Sequence, residues 1–247
     1  MTILEGKNLT KRYTVHHAEI HALRGVDFRL EEGEILGVVG ESGSGKSTLL
    51  KLLSGLEMPS SGQVLLRGRE LPKRRAKEDY RAMQMIFQDA VASFHPRRTV
   101  ADSITETVRS LCGRDAAVDK AALCAMVGLP PELMDRLPRR LSGGQCQRFA
   151  IARAVAVHPQ ILLCDEITSA LDVSSQAQIL HLLADICHEN SMSAVFVSHD
   201  LAVVSCLCDR IMVMRGGELV EEGPARQIID APSREYTRKL ISSVMEL

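Results

Sequence analysis

The chain has 247 residues, of which 45% are hydrophobic and 25% are charged, and its formal net charge at pH 7 is −1. This balance is typical of a soluble globular protein. A charge near zero argues against a general nucleic-acid binder, which carries a basic excess or a basic stripe. The seven cysteines are odd in number and lack C-x-x-C spacing, which argues against a disulfide framework and a common zinc site. Since no apolar run reaches the roughly 20 residues that span a bilayer, and no signal peptide is recognisable, we expect a cytosolic location.

Short apolar runs alternate with helix-like segments along most of the chain. The first 35 residues are predicted to form short strands joined by a loop. Residues 99–157 are mostly helical in character, with breaks at Gly113 and Pro130–Pro131. Because alternating strands and helices favour a mainly parallel sheet covered on both faces, this helical stretch is predicted to be a subdomain inserted into a sheet domain. Further strands are predicted at 35–39, 63–66, 83–87, 161–164, 194–197 and 211–214, helices at 48–53 and around 179–186, and a hairpin turn at 215–218.

The segment from Gly40 to Ser47 fits the phosphate-loop pattern G-x-x-x-x-G-K-[ST] at every fixed position. A β-prone apolar run precedes it and a helix-like run follows it, as the pattern requires. Glycines let the backbone approach phosphate oxygens, while the helix N-terminus supplies N–H groups and a positive dipole end. Lys46 is predicted to reach the β- and γ-phosphates, and Ser47 to hold Mg²⁺. The predicted nucleotide contacts are Gly40, Glu41, Ser42, Gly43, Ser44, Gly45, Lys46, Ser47 and Thr48.

Two carboxylates follow the buried-strand pattern of residues 161–164. In a phosphate-loop protein this is the place of the aspartate that completes the Mg²⁺ shell, so Asp165 is predicted to be a metal ligand. Glu166 points differently from its neighbour and is predicted to orient and polarise the attacking water. The alternative is a strand that simply ends in two solvated acids.

Ser142 and Gln145 have the S-x-x-Q spacing of a capping box just before an apolar helix. Together with Gly143 and Gly144 they form an exposed helix N-terminus that is ready to bind an anion. A chain that already has a phosphate loop does not need a second one for its own nucleotide. We therefore expect this helix end to serve the nucleotide of another subunit, the alternative being a plain capped helix.

These motifs make the chain resemble the ATP-binding subunits of ABC transporters. Leu141–Gln145 matches that family's specific LSGGQ sequence, and the remaining motifs occur in family order over nearly the whole chain. One departure is Ile167, which stands where the family usually has a proline that stiffens the turn. The further matches are Gln88 with the Q-loop glutamine, Ser169–Asp172 with the D-loop, His199 with the switch histidine, and Tyr13 with the aromatic residue that stacks on adenine.

The resemblance implies a P-loop, RecA-like parallel sheet core with N-terminal antiparallel strands and an inserted helical subdomain. The expected boundaries are 1–88 and 158–230 for the core, 89–157 for the helical subdomain, and 231–247 for a short C-terminal helix. ATP and Mg²⁺ are expected to lie between two subunits arranged head to tail. The implied roles are catalysis for Glu166, His199, Lys46 and Gln88, metal binding for Ser47, Gln88 and Asp165, and contacts to the partner's nucleotide for Ser142, Gly143, Gly144, Gln145 and Asp172.

Two further stretches resemble the branch of this family that imports peptides and nickel. Residues 93–100 are similar to the S-x-N-P-R-x-T-V stretch that follows the Q-loop there, with His95 in place of the asparagine. Residues 222–240 are similar to that branch's E-G-P…P…Y-T-x-x-L ending. Since the cysteine-rich extension of many members is missing, the chain more resembles the shorter of two paired ATPases.

This branch implies a definite assembly. We expect a second, non-identical ATPase, two transmembrane permeases and an extracytoplasmic binding protein, at the cytoplasmic face of the cell membrane and with no nucleic-acid partner. The cargo is expected to be a small peptide, nickel or an opine-like metal chelate. The alternatives are an exporter ATPase, a soluble ATPase that acts on ribosomes or DNA, and an ATP-binding regulator that does not hydrolyse.

Three smaller features are interpreted as structural. The basic run at 67–77 is predicted to be a solvated surface because acidic residues are interspersed in it. His16, His17 and His21 are assigned to the N-terminal loop rather than to a metal site. Cys146 follows a predicted helix start, where the helix dipole could lower its pKa, and an inert thiol is the preferred interpretation.

Overall fold

The computed structural model describes residues 1–15, 18–169, 171–198 and 201–245. It divides into two compact units, one formed by 1–75 with 193–247 and the other by 76–192. The strands are β1 (Thr2–Val15), β2 (Ala18–Glu31), β3 (Ile35–Val39), β4 (Ser61–Leu66), β5 (Arg69–Glu70), β6 (Met83–Ile86), β7 (Ile161–Asp165), β8 (Ser193–Val197), β9 (Arg210–Arg215) and β10 (Glu218–Pro224). The helices are α1 (Lys46–Ser54), α2 (Lys77–Ala82), α3 (Val100–Cys112), α4 (Lys120–Met126), α5 (Gly143–Val155), α6 (Val173–Glu189), α7 (Leu201–Leu207), α8 (Ala225–Asp230) and α9 (Glu235–Met245).

An antiparallel sheet in the order β2-β1-β4-β5 contains the N-terminal strands of the first unit. The prediction of short strands is wrong, because β1 and β2 each have 14 residues. The outer half of this hairpin is exposed, so its ladder hydrogen bonds hold it together rather than a buried face that an apolar pattern would reveal. His21 belongs to β2, where it pairs with Arg12, and not to a loop as predicted. His16 and His17 lie outside the described residues.

The second sheet of this unit contains the strand that leads to the phosphate loop. β3 lies between β8 and β9 and is parallel to both, while β10 is antiparallel to β9. All residues of β3 and β8 are buried. Continuous apolar strands of this kind are expected where both faces of a parallel sheet are covered. The predicted strands at 35–39, 194–197 and 211–214 are confirmed, as is the hairpin turn between β9 and β10.

The second unit contains the parallel pair β6 and β7 together with helices α2 to α6. A capping box of Thr99 and Asp102 starts α3, which ends at Gly113 with a φ of 112°. Helix α6 buries the predicted face through Ile179, Leu183 and Ile186. The largely helical character of 99–157 is confirmed, whereas the boundaries of the inserted subdomain stay a prediction. No helix within the described residues is both long and apolar enough to cross a membrane.

The basic run at 67–77 departs from the prediction at one residue. Arg75 is only 8% exposed, and its guanidinium donates to the carbonyls of Leu53 at 2.6 Å and Leu52 at 3.1 Å. These carbonyls belong to the last turn of α1, where partners must come from outside the regular helix, and Leu52 also accepts from the amide of Gly55 at 3.2 Å. A Cβ on Gly55 would lie 2.5 Å from Nε of Arg75, so the bare glycine after α1 lets the guanidinium reach the helix end. The solvated-surface prediction is therefore wrong for Arg75, which ties the connection between β5 and α2 to the end of α1.

We predict that Gly37→Ala destabilises the fold through overpacking. A Cβ there would lie 2.3 Å from Cγ1 of Val204, which is closer than atoms can pack, and 3.0 Å from Sγ of Cys208, which is a tight contact. The expected loss is about 1–3 kcal/mol in the free energy of unfolding, measured by denaturant titration. Gly223→Ala is the matched control, because its Cβ would meet Ile228 at an ordinary 3.5 Å. Equal stability of the two variants would contradict this packing of α7 on β3.

Candidate functional site

The phosphate loop runs from β3 into α1 along a path that excludes side chains at two points. Gly40 has a φ of 152°, and a Cβ there would lie 2.2 Å from the carbonyl oxygen of Met214. Gly45 has a φ of 105°, and its Cβ would lie 2.7 Å from the carbonyl oxygen of Ala22. Gly43, with a φ of 77°, has no described atom within 4 Å of the position of a Cβ. The loop is thus pressed against neighbouring backbone at both ends and open at its middle.

Two buried polar groups line this loop. Lys46 is only 4% exposed, and its ammonium group donates to the carbonyls of Gly40 at 2.7 Å and Glu41 at 3.0 Å. Ser44 is 3% exposed, and its hydroxyl finds no hydrogen-bond partner among the described residues. A buried hydroxyl without a partner is costly unless a ligand satisfies it. The loop therefore has the donors that an anion such as a phosphate would need.

Tyr13, the predicted base-stacking residue, is part of the same unit as the loop. Its hydroxyl donates to Oε2 of Glu57 at 2.5 Å and also hydrogen-bonds with the side chain of Thr48, in the first turn of α1. The pKa of Tyr13 is raised because partial burial and the bond to the Glu57 carboxylate both favour the neutral phenol. Tyr13 and Thr48 are each predicted to contact the nucleotide, and a hydrogen bond joins them.

Asp165 is the last residue of β7, one residue beyond the predicted strand, and Glu166 follows it with a different backbone conformation. Glu166 has a φ of 47°, in the left-handed region that non-glycine residues seldom adopt. The amide of Ser169, at 3.2 Å, and its hydroxyl, at 2.9 Å, both donate to the carbonyl of Glu166 and hold this turn. Ile167, which replaces the family's proline, is 1% exposed. The turn is thus fixed by hydrogen bonds and burial without a proline.

Gln88 is joined to the same turn. β6 and β7 are parallel, with Ile86 opposite Cys164, so the residues after each strand emerge at the same edge. The amide nitrogen of Gln88 donates to the hydroxyl of Ser169 at 3.1 Å. A hydrogen-bonded chain therefore runs from Gln88 through Ser169 to Glu166.

The LSGGQ segment forms the capped helix end that the spacing predicts. The amide of Gln145 donates to the Ser142 hydroxyl at 3.3 Å, and the Ser142 amide donates to Oε1 of Gln145 at 3.0 Å. Both residues of the capping box are therefore engaged at the start of α5. A Cβ on Gly143 would lie 3.7 Å from Leu171, so the D-loop passes beside this helix end.

Asp172 has a role that the D-loop match does not reveal. It is the N-cap of α6, since its carboxylate accepts from the amide of Ser175 at 3.0 Å and from the Ser175 hydroxyl at 2.8 Å. The D-x-x-S spacing could have indicated this cap. Ala170 of the D-loop and His199, the predicted switch histidine, lie outside the described residues.

The possible lowering of the pKa of Cys146 is contradicted by the structure. The thiol is 0% exposed and donates to the carbonyl of Pro138 at 3.3 Å. Burial, with a smaller effect from the charge of Asp89, raises its pKa, so the helix dipole does not determine its ionisation. The preferred interpretation of an inert thiol is consistent with this environment.

No sequence motif indicates a role for Arg153, which lies on the helix that the LSGGQ segment begins. Its guanidinium donates to the carbonyl of Ser93 at 2.6 Å and to the Ser93 hydroxyl at 3.0 Å, and it lies 4.4 Å from the ring centroid of Phe94. Burial lowers its pKa from the usual value. Helix α5 is therefore bonded directly to the stretch 93–100 that resembles importer ATPases.

Comparison with known proteins decides the family. Residues 23–169, more than half of the chain, match the family model described as ABC transporter. The chain belongs to the ABC transporter family. This ABC ATPase is 43% identical to the oligopeptide transport ATP-binding protein OppF of Lactococcus lactis, over 90% of the chain and 72% of the relative. It is 41% identical to the di/tripeptide transport ATP-binding protein DppF of Pseudomonas aeruginosa, over 98% of the chain and 79% of the relative.

Solved structures give the same result for the fold. The ATP-binding cassette MJ0796, in a dimeric post-hydrolysis state bound to ADP and Pi, matches with a TM-score of 0.80 and 31% identity, over 91% of this chain and 99% of that one. CbiO1 of Clostridium perfringens, part of the transporter complex cbiONQ, matches with a TM-score of 0.80 and 25% identity, over 100% and 99% of the two chains. The predicted α/β fold class is confirmed.

Proposed function

We propose that this ABC ATPase hydrolyses ATP to power the uptake of small peptides through partner permeases. The main support is that relatives of this chain are named as ATP-binding proteins of peptide transport. OppF and DppF are named for oligopeptide and di/tripeptide transport, and a 42% identical relative in Escherichia coli is a glutathione import ATP-binding protein. All three cargoes are peptides, so we favour a peptide over the nickel or metal chelate that the sequence also left open.

The nucleotide is bound mainly by the phosphate loop and Tyr13. Residues 40–48 surround the phosphates with backbone N–H groups, and Lys46 moves its ammonium from the carbonyls of its own loop to the β- and γ-phosphates. The unsatisfied hydroxyl of Ser44 and the open position at Gly43 support an anion in the loop. The ring of Tyr13 stacks on the base.

Mg²⁺ fits the donors assigned to it. Ser47, Gln88 and Asp165 supply hydroxyl, amide and carboxylate oxygens, the hard ligands that this cation prefers. Gln88 uses its amide nitrogen to donate to Ser169, so its amide oxygen is the atom that would be the ligand. A magnesium ion held by these residues would supply positive charge that offsets the negative charge of the phosphates.

In hydrolysis the protein positions the water and the phosphates and stabilises charge, and it forms no covalent bond to the substrate. Glu166 orients the attacking water and accepts its proton. Its left-handed backbone supports this role, since strained conformations cluster at catalytic positions. His199 donates to the γ-phosphate, and Gln88 senses it. The hydrogen bonds from Gln88 through Ser169 to the Glu166 carbonyl then link the sensing residue to the backbone of the catalytic one.

Coupling to transport uses the second unit. The stretch 93–100 docks a loop of the permease at the cytoplasmic face of the membrane. Arg153 fixes this stretch to α5, so a displacement of the permease loop reaches the helix that carries Ser142. An extracytoplasmic binding protein delivers the peptide to the permeases.

The assembly has two composite nucleotide sites. Ser142, Gly143, Gly144, Gln145 and Asp172 contact the nucleotide held by the phosphate loop of a second, non-identical ATPase, whose own LSGGQ segment serves the first site. The bonds of Ser142 and Gln145 in the capping box fix the helix end whose N–H groups face that nucleotide. ATP joins the two subunits because it contacts both, and hydrolysis lets them separate.

We predict that Glu166→Gln binds ATP normally but reduces turnover by about 100-fold or more, since the amide cannot accept the proton of the attacking water. Lys46→Ala should instead weaken ATP binding, because a charge-assisted contact to phosphate is lost. Phosphate release and equilibrium nucleotide binding, measured on the co-purified complex, distinguish the two effects. Glu189→Gln, an exposed carboxylate on α6, is the control. Wild-type turnover of the Glu166→Gln complex would show that the role of Glu166 is wrong.

We predict that Ser142→Arg disables only the nucleotide site of the partner's phosphate loop. Combined with Lys46→Ala in this chain it should disable both sites, because Lys46 serves the other one. Combined with alanine at the phosphate-loop lysine of the partner subunit it should leave one site intact. The measurement is the number of nucleotides trapped per complex with vanadate, expected to be none in the first pairing and one in the second. Ser110→Arg, on the exposed side of α3, is the control, and equal trapping in both pairings contradicts composite sites.

A further inference from the structure

Tyr13 is held by polar contacts that reach two segments of the first unit outside its own strand. Its hydroxyl donates to Glu57 at 2.5 Å, in the connection between α1 and β4, and also bonds with Thr48 on α1. Lys11, two residues before Tyr13 on β1, pairs with the same Glu57 oxygen at 3.0 Å and donates to the carbonyl of Met58 at 2.9 Å. The orientation of the phenol ring is therefore set by groups outside its own strand.

Lys11 also contacts the ring itself. Its ammonium lies 5.0 Å from the ring centroid, within the range of a cation–π interaction. The side chains of Lys11 and Glu57 are 15% and 26% exposed, so their ion pair is partly shielded from solvent. Partial burial raises the pKa of Glu57, but hydrogen bonds from Tyr13 and Lys11 and the charges of Lys11 and Lys51 outweigh it, and the net pKa is lowered. The carboxylate is thus ionised at neutral pH and accepts from both side chains.

The backbone and the side chain of Glu57 have different tasks. Its amide donates to the carbonyl of Lys51 at 3.1 Å and so fixes the chain after α1 independently of the carboxylate. The carboxylate pairs with Lys51 only at 3.7 Å, on a side chain that is 44% exposed. Its shorter contacts are all to Tyr13 and Lys11. The side chain can therefore be replaced without removing the backbone bond that anchors it.

We propose that Glu57 is a positioning residue that fixes the ring of Tyr13 for stacking on the nucleotide base and thereby raises the affinity for ATP. This inference rests on the base contact of Tyr13 in the proposed function. If the charge of Glu57 acted only through electrostatics, loss of this carboxylate would strengthen ATP binding, because it would remove a repulsion of the triphosphate. Weaker ATP binding after loss of Glu57 therefore separates positioning from electrostatics.

The test is equilibrium binding of ATP and of inorganic tripolyphosphate, which has no base, to the full chain by calorimetry. Glu57→Ala should weaken ATP binding about fivefold, the order expected for one orienting hydrogen bond, and leave tripolyphosphate binding unchanged or tighter. Glu57→Gln removes the charge but keeps an acceptor for the phenol, so it should restore most of the affinity. In a Tyr13→Phe chain, Glu57→Ala should have little further effect. Glu32→Ala, which breaks an exposed ion pair with Arg67, is the control.

The absence of tryptophan provides a direct signal from the ring. The chain has three tyrosines, so Tyr80→Phe combined with Tyr236→Phe leaves Tyr13 as the sole tyrosine. ATP should quench its fluorescence, and Glu57→Ala should reduce the quenching at saturating ATP, which a purely structural role for Glu57 would not change.

The proposal would be overturned if Glu57→Ala weakened the binding of ATP and of tripolyphosphate equally. It would also be overturned if Glu57→Ala weakened ATP binding as much in the Tyr13→Phe chain as in the unmodified chain. The proposal would also be overturned if Glu57→Ala left the ATP affinity unchanged while Tyr13→Leu lowered it. In that case the contact between Tyr13 and the base would still stand. If Tyr13→Leu leaves ATP affinity unchanged, the base contact in the proposed function is what fails.

Discussion

The close approach of the phosphate loop to neighbouring backbone is the constraint on which the first unit depends. Gly40 passes the carbonyl of Met214 on β9, and Gly45 passes the carbonyl of Ala22 on β2. The turn between β9 and β10 closes the arrangement, because the amide of Gly217 donates to the carbonyl of Ser44 at 3.0 Å. A side chain at any of these contacts would push the loop away from both sheets. The shape of the loop is therefore maintained by strands distant in sequence.

The second unit holds Glu166 in a strained backbone conformation. Glu166 has the left-handed backbone that costs of order 1–3 kcal/mol for a residue with a Cβ. Two bonds from Ser169 to its carbonyl and the burial of Ile167 offset this cost. The same Ser169 accepts from Gln88, so the residue that we propose to sense phosphate is bonded to the turn of the residue that we propose to position water. Elsewhere in this unit, Arg153 of α5 bonds to Ser93 in the segment that we assign to the permease.

The sequence predicts those parts of the fold whose pattern is local. Residues 35–39 and 161–164 are short apolar runs next to motif residues, and the capping box of Ser142 and Gln145 is visible as spacing. The length of β1 and β2 could not be predicted, because cross-strand hydrogen bonds rather than burial hold their outer halves. Arg75 and Glu57 look like ordinary surface charges, since their partners lie in other segments of the chain. Burial of Cys146 likewise depends on packing that no helix-start rule contains.

We propose that ATP hydrolysis by this chain powers peptide import, and transport itself can be measured. The most direct measurement is the uptake of a labelled tripeptide into proteoliposomes that contain the co-purified permease complex, with ATP enclosed on the ATPase side and with or without the extracytoplasmic binding protein. We expect inward accumulation that requires both ATP and the binding protein, accompanied by phosphate release. Outward movement of the peptide, or uptake that is independent of either requirement, would contradict it.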